Sequence, residues 1–81
     1  MKKKLYLLLD SRAGILAANS AKDNMNDVDN NWKRYVLLAS ESKKEICHYA
    51  NNEEYGANCI VADDSGYVYW EWYKNNKWKC K

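Results

Sequence analysis

Cys47 stands beside His48, and a thiol next to an imidazole supplies the two groups of a cysteine nucleophile and its base. On a helix, however, consecutive side chains point about 100° apart. Nucleophile and base need mutual hydrogen-bond reach, so this adjacency predicts an exposed histidine and no catalytic pair. Cys47, Cys59, Cys80 and His48 could be zinc ligands by type, but C-x-x-C spacing is absent. Asp23 to Arg34 has the acidity of a calcium loop without its pattern: the sixth position is Val28, not glycine, and the twelfth is Arg34, not glutamate. The chain has 3 glycines and no glycine-rich phosphate loop. Neither an enzyme activity, nor a metal, nor a cofactor is expected.

Binding chemistry is better represented. There is no Phe, but 4 Trp and 7 Tyr, so most large side chains carry a polar handle suited to half-buried interfaces. Tyr67 to Tyr73 reads as a long strand, Asn75-Asn76 as a two-residue hairpin turn, and Lys77 to Cys80 as the returning strand. Alternation puts Val68, Trp70 and Trp72 on the packed face, because Glu71 would be hard to bury unpaired. Tyr67, Tyr69 and Tyr73 then form a stripe on the open face. Lys74 and Lys77 fall opposite each other at the tip, a like-charge pair suited to an anionic or polar partner. Lysines among aromatics also suit single-stranded nucleic acid, although no RNP-like motif or GXXG loop accompanies them.

Those elements belong to a single domain spanning 1–81, since 81 residues leave no room for a second core. An apolar content of 47% argues against disorder. The formal charge of +2 is unevenly spread. Lys2, Lys3, Lys4, Lys74, Lys77, Lys79 and Lys81 occupy the two ends, while residues 5–73 hold six basic and eleven acidic side chains. If the ends meet, they form a basic patch on an acidic body. Three widely spaced cysteines do not read as a disulfide framework, which points to a reducing compartment. Lys2-Lys3-Lys4 before Leu5 to Leu9 resembles the start of a signal peptide. Asp10 and Arg12 end the apolar run below the roughly 7–15 residues a signal needs, so a cytoplasmic location and no membrane contact are expected.

Along the chain, residues 4–9 read as a buried strand, Asp10 to Gly14 as a turn, and Ile15 to Ala18 as a second strand. Ser20 offers an N-cap to a weak helix with Ala21, Met25 and Val28 on one face. Residues 29–31 are loop, and Trp32 to Ala39 a strand. Ser42-Lys43-Lys44-Glu45 fits the capping box, with Ile46, Cys47, Tyr49 and Ala50 on the buried face of the helix that follows, His48 outward, and Gly56 at its end. Cys59 to Ala62 is a strand, and Asp63 to Gly66 a turn. The fold class is therefore α+β, an antiparallel sheet of about four to five strands with one or two helices packed on one face.

The second half, over roughly residues 34–81, resembles the small type I-F anti-CRISPR proteins. The resemblance runs through Ser40-Glu41-Ser42, a helix with Ala50, Tyr55-Gly56, the Gly66 turn, the aromatic strand, and Lys77-Trp78 with Cys80. The chain departs from that pattern in its longer, more acidic first thirty residues and in having Asn75-Asn76 where a glycine-containing turn is usual. The resemblance implies a phage or mobile-element protein of the bacterial cytoplasm. It would grip the backbone subunits of a crRNA-guided type I surveillance complex and block target DNA hybridisation. The expected contact residues are Lys33, Arg34, Tyr67, Tyr69, Tyr73, Lys74, Asn75, Lys77 and Lys79, with weak nucleic-acid contact alongside. The alternative readings are a nucleic-acid-binding accessory protein of a phage or plasmid, and a subunit of a larger assembly.

Overall fold

The computed structural model describes residues 3–55 and 58–81. It has an α+β fold with two antiparallel sheets. The larger sheet has strand order β2-β1-β3, built from β1 (Tyr6–Leu9), β2 (Val36–Ser40) and β3 (Ile60–Asp63). The smaller is a hairpin of β4 (Tyr73–Lys74) and β5 (Lys77–Trp78). Helix α2 (Lys43–Ala50) packs across all three strands of the larger sheet, and α1 (Ser11–Ser20) packs on β3.

Leu7, Leu8 and Leu9 are all buried. Successive strand residues point to opposite faces, so β1 is covered on both sides. The four residues of β3 are likewise buried. β2 is an edge strand with a bulge: Leu8 pairs with Leu38 and Leu9 with Val36, which leaves Leu37 unpaired and exposed. A bulge of this kind discourages edge-to-edge pairing with another chain.

Several local expectations are corrected. Ile15 to Ala18 is helical, not a strand, because the preceding turn is the helix start itself. The Asp10 carboxylate accepts from the amides of Arg12 and Ala13, capping α1. The helix expected from Ser20 is absent. Ala21 takes a left-handed conformation (φ 53°) that ends α1, and only one 3-10 turn, Met25–Asp27, follows. Trp32–Tyr35 is also a 3-10 turn, so β2 begins four residues later than expected. Only half of the capping box forms. Ser42 Oγ accepts from the Glu45 amide, but the Ser42 amide donates to Ser40 Oγ. On α2, Ile46 and Cys47 are buried and His48 is exposed, as their spacing implied. Gly56 lies outside the described residues.

The largest correction concerns cysteine. Cys47 and Cys80 form a disulfide, with Cα atoms 6.1 Å apart, within the usual range for such a bond. Spacing alone could not reveal it, because the pair is brought together by α2 and the returning hairpin.

Candidate interaction surface

The hairpin turn needs two consecutive residues at positive φ, and Asn75 (φ 54°) and Asn76 (φ 62°) supply them. Asparagine adopts this conformation more readily than other side-chain-bearing residues. Lys74 and Lys77 face each other across the turn, as their spacing predicts. Both are exposed, and neither ion-pairs with a carboxylate among the described residues.

The base of the hairpin is held from several directions. Trp78 is buried, its amide donates to Asn51 Oδ1 (2.7 Å), and its carbonyl accepts from Asn51 Nδ2 (2.8 Å). Its indole N–H donates to the Cys59 carbonyl (3.1 Å). The ring stacks on Trp70 at 6.0 Å and meets Tyr73 at 5.0 Å. Beyond β5, the Lys79 amide donates to the Trp72 carbonyl (2.6 Å), and Cys80 is tied to Cys47. A braced base thus presents a free, doubly positive tip.

The expected tyrosine stripe does not form. Tyr67 and Val68 make only isolated bridges, and Trp70–Trp72 is a 3-10 turn that interrupts the alternation. Tyr69 is therefore drawn into the core at 8% exposure, where it stacks on Trp72 (4.2 Å, 15°). Its hydroxyl donates to Asp63 Oδ2 (2.8 Å) and accepts from Lys4 Nζ (3.1 Å). Burial pushes the Tyr69 phenol up, and the Asp63 carboxylate adds to the rise against Lys4. Tyr67 is half-buried, with its hydroxyl donating to Glu71 Oε1 (3.1 Å). Of the three, Tyr73 alone counts as exposed, at 40%.

Lys33 and Arg34 lie elsewhere. No hydrogen bond or ion pair among the described residues joins them to the hairpin. They line an open concavity with Asn26, Asn30, Asn31 and Trp32. Arg34 is engaged within the chain: its guanidinium bonds Asp29 Oδ2 (3.0 Å) and the Tyr35 hydroxyl (2.8 Å), and lies over the Tyr35 ring. The Asn31 amide, Tyr35 and Arg34 together hold the Asp29 carboxyl below its ordinary value. Of the expected contact residues, Tyr73, Lys74, Asn75, Lys77 and Lys79 are exposed on the hairpin segment, with Tyr73 turned toward Trp70 and Trp78; Tyr67 is half-buried, Tyr69 is internal, and Lys33 and Arg34 are separate.

Residues distant in sequence meet at Trp72, which sequence reasoning left in a packed face. The Tyr6 ring lies 5.9 Å from that of Trp72, Lys43 Nζ lies 5.9 Å above it, and the Lys79 amide bonds its carbonyl. Asn51, which clasps Trp78, was also missed; a polar residue at a helix end gives no sign of a partner 27 positions away.

The Cys47 sulfur is bonded to Cys80, so it offers no thiolate to His48 while that bond stands. Among the described residues, no three His, Cys, Asp or Glu side chains converge as a metal site would require, and no helix is long and apolar enough to cross a membrane. Comparison with protein-family models, with curated proteins and with solved structures gave no match.

Proposed function

We propose that the chain is a stoichiometric protein-binding inhibitor of a bacterial type I crRNA-guided surveillance complex, acting through the tip of its C-terminal hairpin. The observation that carries the reading is the Lys74–Lys77 pair. Two like charges face each other across a turn at some cost to the free chain, and among the described residues no carboxylate ion-pairs with either. A carboxylate or polar rim on the partner offsets that repulsion with charge-assisted hydrogen bonds. Tyr73 supplies rigid contact area beside the tip, and the braced base limits the ordering cost of binding. The run resembling type I-F anti-CRISPR proteins, Gly66 to Cys80, coincides with this hairpin and its tie to α2. Binding there would block pairing of target DNA with the guide.

Co-elution with a purified type I-F surveillance complex on a sizing column tests the proposal. Binding is expected to the free complex and to be lost once target DNA is already bound. No co-elution in either state would refute it. The alternative of direct nucleic-acid binding is favoured by Lys43, whose Nζ lies 5.9 Å from the centre of the Trp72 ring. It predicts binding to nucleic acid without a protein partner, falling steeply with added salt.

A further inference from the structure

We infer that Cys80 is a thiol-exchange site: a small thiol opens the Cys47–Cys80 bond by attack on the Cys80 sulfur, and opening it releases the base of the hairpin. The two sulfurs differ in access. Cys47 is 4% exposed, on the buried face of α2 and within the core. Cys80 is half-buried, in the irregular segment after β5. A thiolate must reach the sulfur it attacks, and Cys80 is the more exposed residue of the pair.

The step balances as an ordinary exchange. The incoming thiolate bonds to Cys80 Sγ, the Cys47–Cys80 bond breaks, and its electron pair leaves on Cys47 Sγ, which takes a proton from water. With a dithiol, the second thiol displaces Cys80 as a thiolate and closes the reagent's own disulfide. Two electrons then pass from reagent to protein. Cys47 stays beside its former partner and re-attacks a monothiol adduct, so dithiol opening persists while monothiol capture must be trapped. Cys59 stands apart from this chemistry. It is buried, its thiol donates to the Tyr55 carbonyl, and burial pushes its pKa up.

Opening the bond removes the covalent tie on the segment after β5. The Lys79–Trp72 hydrogen bond and the Asn51 clasp on Trp78 are then left to hold it. This inference stands on the disulfide and is independent of which partner the hairpin meets.

To test it, the full chain is oxidised with glutathione disulfide, treated with excess free cysteine, quenched in acid, alkylated and peptide-mapped. After alkylation in denaturant, the expected result is a cysteine adduct on Cys80 with Cys47 and Cys59 both alkylated. An adduct on Cys47, or failure of the Cys47–Cys80 bond to form under oxidation, would overturn the assignment. Hydrogen exchange then compares oxidised protein, dithiol-reduced protein and the Cys80→Ser variant. The Trp78 and Lys79 amides are expected to exchange at least about tenfold faster without the bond. Unchanged rates, or global unfolding of both bond-free forms, would overturn the local release.

Discussion

Asp63 ends β3 at 3% exposure and gathers a turn around its carboxylate. It accepts from the Ser65 amide (2.9 Å) and hydroxyl, the Tyr67 amide (3.3 Å) and the Tyr69 hydroxyl (2.8 Å), with the Lys4 ammonium at 3.8 Å. Burial alone would raise its pKa, but the donors from Ser65, Tyr69 and Tyr67 outweigh it and hold the carboxyl below its ordinary value. A folded pKa depressed in this way gives stability that is present above about pH 4 and is lost as pH falls through the folded value. Asp63→Asn is expected to cost about 1–3 kcal/mol at pH 7, because donors are left without their charged acceptor. It should also flatten the acid limb of stability below about pH 4. Urea unfolding of both proteins at neutral pH and near pH 3 checks each part. The sequence marked Asp63 as a turn residue and no more, since its role depends on Tyr69, which alternation assigned to the wrong side. Asn75-Asn76, by contrast, was legible because the constraint there is local: two adjacent residues must adopt positive φ.

Among elements, α1 shows where local pattern fails. Ile15 to Ala18 is short and apolar, and such a run does not distinguish a strand from a helix segment. What decides is the Asp10 cap together with the close approach of Gly14 to the next layer. A Cβ on Gly14 would lie 1.7 Å from the Asn58 carbonyl oxygen, a backbone atom with little freedom to retreat. Gly14→Ala is therefore expected to destabilise the protein by about 1–3 kcal/mol despite alanine's better helix propensity. Thermal unfolding followed by circular dichroism checks the sign, and a stabilised variant would contradict the packing described for α1. The hairpin gives the opposite prediction. Asn76 already has positive φ, so Asn76→Gly fits the same turn without steric conflict, and stability should change by no more than a few tenths of a kcal/mol. The aromatic strand was misjudged because Trp70–Trp72 coils into a 3-10 turn. Stacking of Tyr69 on Trp72 accompanies this break in the two-residue period.

In the whole molecule, the α+β class was legible from alternating short apolar runs and a capped helix, while its long-range ties were not. The Cys47–Cys80 bond closes a separation of 33 residues in a chain with a small core. Its reduction is expected to lower unfolding stability by about 3–4 kcal/mol on a loop-closure basis, measured as a shift of the urea midpoint with and without dithiol. The bond, the Asn51 clasp and the Lys79–Trp72 hydrogen bond hold the hairpin base, leaving Lys74 and Lys77 at its tip. The most direct test of that arrangement is the single variant Lys77→Glu, measured for binding to the surveillance complex and for stability together. It replaces a like-charge cross-strand pair by an opposite-charge one, so stability should be retained or rise by about 0.2–1 kcal/mol. On the proposed function affinity should fall by at least about tenfold, as a carboxylate on the partner would then face a carboxylate. Undiminished binding by a folded Lys77→Glu protein would contradict the hairpin tip as the binding surface.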